Sequence, residues 1–444
     1  MDELKRAKQY VEGADSARIA PIPNTACWLE TVVTVFLLSC GKKPTRPILR
    51  EPVKIPFQDA HTCLNQGNDF NIKVFELGKC LKEWQTVLSP PTSRTSPVLL
   101  PYTQATNGDL LTYLGITLSP LHSTMRAELV PEYARYHDQV LQFYPQDASN
   151  ATIHLESPFS ESDIAATTAS TSDHDLGDDL KIREYNPCGY DSAQIVHTTI
   201  LVWFAGGGWM LGGIESDHNI LSNICNEAQI RVFNVAYRRK AFPTPLDDAA
   251  QAMQWVQQQC GPIKVILGGV SAGALLAVVT MLEMSQHRIP PLGILLVAPS
   301  LINTADSHLD WAPVEAPWLT PERMKLYQDT FLPRSKDRSS DNWRASPVYA
   351  PRKLFDDAKT VRTFIASMGC DILREDATRF VDVLNDYNCD VTHYSCPSYP
   401  HMAWAMQGTL GETLLIRVLR FIELLISGED GEEALEMIFQ TTKL

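Results

Sequence analysis

The sequence predicts an α/β protein whose mostly parallel central sheet is flanked by helices. Two observations lead to this prediction. Short apolar runs, such as residues 198–204 (TTILVWF) and 230–237 (IRVFNVAY), have the length and composition of strands buried on both faces. From about residue 198 onward such runs alternate with stretches of helical character, and this order typically produces a parallel sheet covered by helices.

The remaining elements are predicted from the same signals. Residues 246–259 favour a helix because Asp247 and Asp248 stand in its first turn, where the helix dipole favours acidic side chains. The other predicted elements are a helix over 217–229, a strand over 263–267, a helix beginning at Ala272, strands over 293–298 and 360–367, a helix over 374–387, a strand over 391–395 and a helix over 413–427.

The composition divides the chain into regions. Residues 1–150 are rich in proline and short apolar patches, show no strand–helix rhythm and form an N-terminal region. Residues 151–180 are dense in Ser, Thr and Asp and are predicted to be a flexible linker or loop, because they cannot bury enough apolar surface to become ordered. The main domain is predicted over 181–430, with an insertion rich in Pro and Trp over 303–355.

Charge and cysteine content narrow the possible partners. The chain has 38 Lys and Arg against 52 Asp and Glu residues, which gives a formal net charge of −14. Nucleic-acid binding requires a basic face, so no nucleic acid is expected as a partner. The ten cysteines show no CxxC pair and no zinc-like spacing, which indicates mostly buried free thiols in a reducing compartment and no metal site.

The first apolar run of the chain, residues 28–40, bears on membrane association. No secretory signal is apparent before it, because the first 26 residues are polar and mixed in charge. The run contains Glu30 and is shorter than the roughly 20 residues that span a bilayer. A buried core or cap helix is the favoured interpretation, and a helix on a membrane surface or at an apolar entrance is the alternative. We expect a cytoplasmic protein with at most weak membrane association.

Ser271 lies in a pattern typical of a serine nucleophile. Residues 269–273, Gly-Val-Ser-Ala-Gly, follow the predicted strand IKVIL and precede the apolar helical run ALLAVVTML. In a G-x-S-x-G elbow, small residues around the serine allow a sharp turn that exposes the hydroxyl above the sheet. The next helix then directs its N-terminus at developing negative charge. An ordinary tight turn is the alternative, and the flanking elements favour the nucleophile.

Two further residues complete a candidate triad with Ser271. A serine hydroxyl needs a base, and the base needs an orienting acid, in the chain order serine, acid, histidine. Asp371 follows the strand predicted over 360–367, at the carboxyl end where α/β sheets place their chemistry. His401 follows the last predicted strand, whereas the competing His393 lies inside it. The sequence therefore predicts Asp371 as the acid and His401 as the base.

Three consecutive glycines after the strand over 198–204 predict an oxyanion hole. Uncovered backbone N–H groups stabilise the tetrahedral intermediate of acyl transfer, and Gly207, Gly208 and Ala272 are the predicted donors. A dinucleotide-binding loop is disfavoured because the glycines do not fit G-x-G-x-x-G and Trp209 would crowd the phosphates. A phosphate loop is disfavoured because no Gly-Lys-Ser/Thr follows.

Together these segments resemble the hormone-sensitive-lipase-like branch of the α/β-hydrolases (fold-3), which contains lipases, esterases and steryl acetyl hydrolases. The resemblance covers about residues 198–425. Residues 205–209 resemble the family's His-Gly-Gly-Gly-Trp/Phe loop, residues 269–273 its Gly-Asp-Ser-Ala-Gly elbow, and residues 237–248 its Tyr-Arg-Leu-Ala-Pro-Glu segment. It implies an α/β-hydrolase fold, action without a cofactor, and a cap formed by residues 1–150 and the 303–355 insertion.

Three departures from the family pattern indicate a specialised member. Ala205 replaces the family histidine, and Val270 replaces the acid before the serine. Residues 239–241, Arg-Lys-Ala, shorten the Leu-Ala-Pro-Glu part, so a supporting carboxylate is missing. The triad and the candidate N–H donors are unaffected by these changes.

Three functions fit the sequence. The first is hydrolysis of a carboxylic ester of a hydrophobic small molecule through an acyl-enzyme, with Trp311, Trp318 and Trp343 indicating an apolar pocket. The second is acyl transfer, cyclisation or condensation in lipid or fungal secondary metabolism. The third is a ligand receptor on the same fold, which the presence of His401 disfavours because the receptors that resemble this family lack that histidine.

Overall fold

The computed structural model describes residues 120–139, 141, 169–189, 199–406 and 409–428 of the chain. Contacts divide the chain into two units, Met1–Pro120 with His137–Pro145 and Leu121–Tyr136 with Gln146–Leu444. Nearly all described residues belong to the second unit. The apolar run over 28–40, and with it the predicted membrane contact, lies outside the described residues.

One eight-stranded sheet, in the spatial order β1-β2-β4-β3-β5-β6-β7-β8, organises this unit. Its first three strands in that order pair antiparallel, and the other neighbours pair parallel, which confirms the predicted mostly parallel sheet. The strands are β1 Ser170–Asp175, β2 Lys181–Asn186, β3 Thr199–Phe204, β4 Arg231–Ala236, β5 Lys264–Val270, β6 Gly293–Val297, β7 Arg362–Cys370 and β8 Val391–Pro400.

Helices cover both faces of the sheet. The described helices are α1 Ser123–Glu128, α2 Pro131–Gln139, α3 His218–Ala228, α4 Thr244–Cys260, α5 Ala272–Gln286, α6 Pro321–Phe331, α7 Arg352–Asp357, α8 Arg374–Asp386 and α9 Thr409–Ser427. One apolar cluster packs α4, α5 and α8 on one face, and a second packs α3 and α9 on the other. The sequence of α5 is apolar on all sides of the helix, and the helix is accordingly buried at nearly every position.

Three strands are longer at their carboxyl ends than predicted. β5, β7 and β8 run to Val270, Cys370 and Pro400, the residues directly before Ser271, Asp371 and His401. Glycine and proline near these ends normally mark the end of a strand, so the sequence predicted shorter ones. At Gly369 a Cβ atom would lie 1.9 Å from the carbonyl oxygen of Pro397, so the absence of a side chain is what lets β7 and β8 stay together there.

The prediction of a flexible loop over 151–180 is wrong for residues 170–175, which form the edge strand β1. All six residues of β1 pair with β2. Its side chains are largely exposed, so apolar residues are not required for order at this edge. Asp173 also pairs with Arg183, directly opposite on β2, through oxygen–nitrogen distances of 2.7 and 2.8 Å.

The insertion over 303–355 lies between β6 and β7 and contains α6. Its tryptophans, which the sequence assigned to an apolar pocket, take part in packing. Trp311 is buried in the core, and the half-buried Trp343 packs against the core cluster. The ring centroid of the buried Trp318 lies 4.7 Å from the guanidinium carbon of Arg323. The pocket predicted from these residues therefore stays a prediction.

The described residues bear on the expected buried thiols and on membrane association. None of the six cysteines among them forms a disulfide, and Cys188 is the exposed member of a set that is otherwise buried or half-buried. Among the helices that the structure describes, none combines the length and apolarity needed to cross a bilayer.

Candidate active site

Ser271 occupies a strained turn between the end of β5 and the start of α5. Its backbone angles are φ 55° and ψ −120°, a conformation that a non-glycine residue adopts at a cost and that is typical of functional turns. The turn also requires Gly273, because a Cβ there would lie 1.9 Å from the carbonyl oxygen of Phe204. The turn is fixed by two backbone bonds, from the Ser271 N–H to Val297 and from the Ser300 N–H to Ser271.

The structure brings Ser271, His401 and Asp371 together at adjacent strand ends. The Ser271 Oγ lies 3.0 Å from His401 Nε2, and His401 Nδ1 lies 2.7 Å from Asp371 Oδ2. The other oxygen of Asp371 accepts a hydrogen bond from the Leu373 N–H at 3.0 Å, and this carboxyl is 1% exposed. His393, the competing base, instead lies 2.8 Å from the Ser367 hydroxyl.

This arrangement can move a proton away from the serine hydroxyl. Asp371 is an acceptor, so the proton of the neutral imidazole stands on Nδ1, which leaves the Nε2 lone pair facing Ser271. The turn that carries His401 is held by Trp404, whose ring stacks on Trp203 of β3 at 5.3 Å. The histidine is therefore oriented both by a buried carboxyl and by packing.

The glycine loop after β3 lies beside Ser271. At Gly206 a Cβ would stand 3.5 Å from the Ser271 Cβ, so the two backbones approach closely. Gly207 and Gly208 have φ angles of 119° and 60°, a region that glycine adopts readily. Within the described ranges, the N–H groups of Gly207, Gly208 and Ala272 donate to no protein acceptor. They are consequently available to a substrate oxygen.

Two polar contacts near this loop were not anticipated from the sequence. The Tyr237 hydroxyl donates to the carbonyl oxygen of Ala205 at 2.9 Å, at the position where the family has histidine. Arg238 binds the fully buried Asp248 through its backbone N–H at 2.7 Å and through its guanidinium. The sequence placed Asp248 in a favourable helix turn, and no local signal indicated its ion pair.

A second buried carboxyl, Asp376, lies on α8 near Asp371. Its Oδ2 accepts from the backbone N–H groups of Leu301 and Ile302 at 2.7 and 2.9 Å, which fixes the segment after β6 to α8. Burial raises the pKa of Asp376 to about 7, although both backbone hydrogen bonds oppose this shift. Asp376 therefore titrates near neutral pH.

We expect Asp376→Asn to flatten the pH dependence of stability. Because the folded-state pKa is raised, the folded protein holds this proton while the unfolded chain loses it, so wild-type stability falls as pH rises from about 4 to about 7. Asparagine can accept the same two N–H groups without ionising. The variant should gain on the order of 4 kcal/mol over wild type at pH 8 relative to pH 4, because the pKa of Asp376 rises from 3.8 to about 7 on folding.

Urea denaturation across this pH range measures the effect, with Asp386→Asn, an exposed carboxyl on α8, as the matched control. A variant whose stability falls with pH as steeply as that of wild type would show that Asp376 ionises normally in the folded protein.

No group of three or more His, Cys, Asp or Glu side chains suited to a metal ion occurs among the residues that the structure describes.

The sheet order and the strand-end geometry are those of the α/β-hydrolase fold. Residues 201–405 match the family described as alpha/beta hydrolase fold. The chain is also similar to an AB hydrolase superfamily protein of Schizosaccharomyces pombe, with 29% identity over 324 residues, 66% of this chain and 92% of the relative. Residues 201–405 therefore have the α/β-hydrolase fold, and the predicted resemblance to the fold-3 esterases is confirmed.

Other similar proteins include enzymes and solved structures. A versiconal hemiacetal acetate esterase of Aspergillus parasiticus is 25% identical over 244 residues, 51% of this chain and 72% of the relative. The structure of carboxyl esterase 2 from the fungus Tuber melanosporum has a TM-score of 0.55 at 19% identity, covering 67% of this chain and 99% of that one. A bacterial heroin esterase has a TM-score of 0.56 at 22% identity, covering 68% and 98%. These two structures support the same fold.

Proposed function

We propose that the protein hydrolyses a carboxylic ester of a hydrophobic small molecule, with Ser271 as nucleophile, His401 as base and Asp371 as orienting acid. The observation that carries the proposal is the hydrogen-bonded chain from Ser271 Oγ through His401 to Asp371, with distances of 3.0 and 2.7 Å. The esterase named among the relatives supports the same reaction.

In the first half of the reaction, Ser271 Oγ attacks the ester carbonyl carbon while His401 Nε2 takes the hydroxyl proton. The carbonyl oxygen becomes an oxyanion, which the N–H groups of Gly207, Gly208 and Ala272 stabilise. The carbon–oxygen bond to the alcohol then breaks, and His401 returns the proton to the departing alkoxide. An acyl group remains on Ser271.

In the second half, a water molecule attacks the acyl carbon and gives its proton to His401. The oxyanion forms again and collapses, the bond to Ser271 Oγ breaks, and the serine recovers its proton from His401. The carboxylic acid leaves. An alcohol or other nucleophile in place of this water would give acyl transfer instead of hydrolysis.

Labelling with a fluorescent fluorophosphonate tests the nucleophile. We expect wild type and Ser300→Ala to label and Ser271→Ala not to label. Ser300 is a matched control, because it is another buried serine and its backbone contacts that of Ser271. A folded wild type that does not label would contradict the proposal and favour a receptor. A Ser271→Ala variant that labels would contradict it by showing that another residue is the nucleophile.

Turnover of a panel of p-nitrophenyl and steryl esters by wild-type protein that has not been treated with the probe tests the reaction. Free carboxylic acid as the product supports hydrolysis. An ester of an added alcohol, formed in preference to the acid, would show that the protein is a transferase.

A further inference from the structure

Helix α6 of the insertion lies directly on the glycine loop. The ring of Tyr327, which is 7% exposed, covers Gly208 so closely that a Cβ there would lie 2.3 Å from Tyr327 Cδ2. One turn later, Phe331 stacks on Trp209 with ring centroids 4.2 Å apart and planes 8° from parallel. Two successive residues of the loop are thus each packed against an aromatic ring of the same helix.

Helix α6 is itself firmly held. Its residue Gln328 is buried and donates to the side chains of Asn303 at 3.1 Å and Ser307 at 3.0 Å, in the segment that follows β6. At its N-terminus, Arg323 donates to the Trp318 carbonyl oxygen at 2.7 Å. A helix anchored at both ends by buried hydrogen bonds can act as a rigid support for what it contacts.

The glycine loop needs such a support. Gly207, Gly208 and Trp209 have φ angles of 119°, 60° and 59°, and for tryptophan this conformation is strained. Strained backbone persists where the surrounding structure determines it. Ala205 stands where the family has a histidine whose side chain supports the loop, so contacts from other segments must fix the loop here.

We propose that Tyr327 is a positioning residue whose ring holds the Gly208 N–H in place to stabilise the oxyanion, an inference that rests on the proposed function. The contact acts through Gly208, and the Tyr327 hydroxyl has no part in it. A misplacement of about 1 Å in such a donor lowers the rate substantially, and binding of the ground-state substrate depends on it far less.

Kinetics of three variants measure the effect. We expect Tyr327→Ala to lower kcat by about 10- to 100-fold with KM changed less than about threefold. Tyr327→Phe, which keeps the ring, should retain wild-type kcat, and Met324→Ala, which removes another buried side chain from the same helix, should do so too. If Tyr327→Ala does not fold, Tyr327→Leu takes its place.

A double-mutant cycle with Gly208→Ala separates positioning from packing. Alone, this change should cost about 10²- to 10³-fold in kcat, because the new Cβ collides with Tyr327 and displaces the N–H. In the Tyr327→Ala background it should cost at least about tenfold less. Strict additivity, or an unchanged kcat in Tyr327→Ala, would overturn the inference.

The labelling result tells the two possible failures apart. A wild type that labels and turns over, together with a Tyr327→Ala variant that has unchanged kcat, overturns the role of Tyr327 alone. A wild type that neither labels nor turns over overturns the proposed function and the inference with it.

Discussion

Replacing His401 with alanine is expected to lower kcat for ester hydrolysis by about 10⁶-fold. The imidazole is the acceptor at 3.0 Å from the Ser271 hydroxyl, and no other base lies in hydrogen-bond contact with that hydroxyl among the described residues. Without it, attack requires a neutral hydroxyl with no proton acceptor, and the alcohol leaves without a proton donor. Steady-state rates on an ester that the wild type turns over measure the loss.

His393→Ala is the control, because His393 is the other histidine considered as base and contacts Ser367 instead. Its kcat should stay within about threefold of wild type. The double variant Ser271→Ala/His401→Ala should be no slower than either single variant, since the two residues act as one unit. A His401→Ala variant within tenfold of wild type would refute the assignment of the base.

Replacing Asp371 with asparagine is expected to lower kcat by about 10⁴-fold while the fold is retained. The Asp371 carboxyl accepts from both His401 Nδ1 and the Leu373 N–H. An amide has one acceptor oxygen, and its NH₂ group facing Nδ1 would favour the tautomer that carries its proton on Nε2. That proton would face Ser271, and the imidazole could then no longer serve as base.

The matched control is Asp376→Asn, which removes the other buried carboxyl of this region without touching the triad. Its kcat at pH 7 should remain within about threefold of wild type. A shift of the pH–rate profile in Asp371→Asn would accompany the loss, because the imidazolium that forms during the reaction has lost its stabilising charge. An Asp371→Asn variant with wild-type kcat would contradict the assigned role of the acid.

The three candidate catalytic residues could be located from sequence because each directly follows a strand of the sheet. Parallel strands end at the same edge of a sheet, so Ser271, Asp371 and His401 meet although they are far apart in the chain. The position of His393 inside β8 likewise separated it from His401 without reference to any structure.

The contacts that support these residues could not be predicted. The packing of Tyr327 on Gly208 and the ion pair of Arg238 with Asp248 join segments whose local patterns show only that they are helix, loop or strand. The edge strand β1 was missed for a related reason: its order comes from pairing with β2 and from ion pairs, not from apolar composition.

Because β5, β7 and β8 end at Val270, Cys370 and Pro400, a change in chain length has different consequences in a connection and in a strand. Lengthening a connection such as the one between β6 and β7 leaves the ladder of hydrogen bonds intact, so new material can be added above the sheet without moving the reactive atoms. Removing one residue from β7 would turn its following side chains to the opposite face and carry Asp371 away from His401. Insertions and deletions are therefore tolerated in the connections of such a chain, whereas the number of residues in its central strands must stay constant.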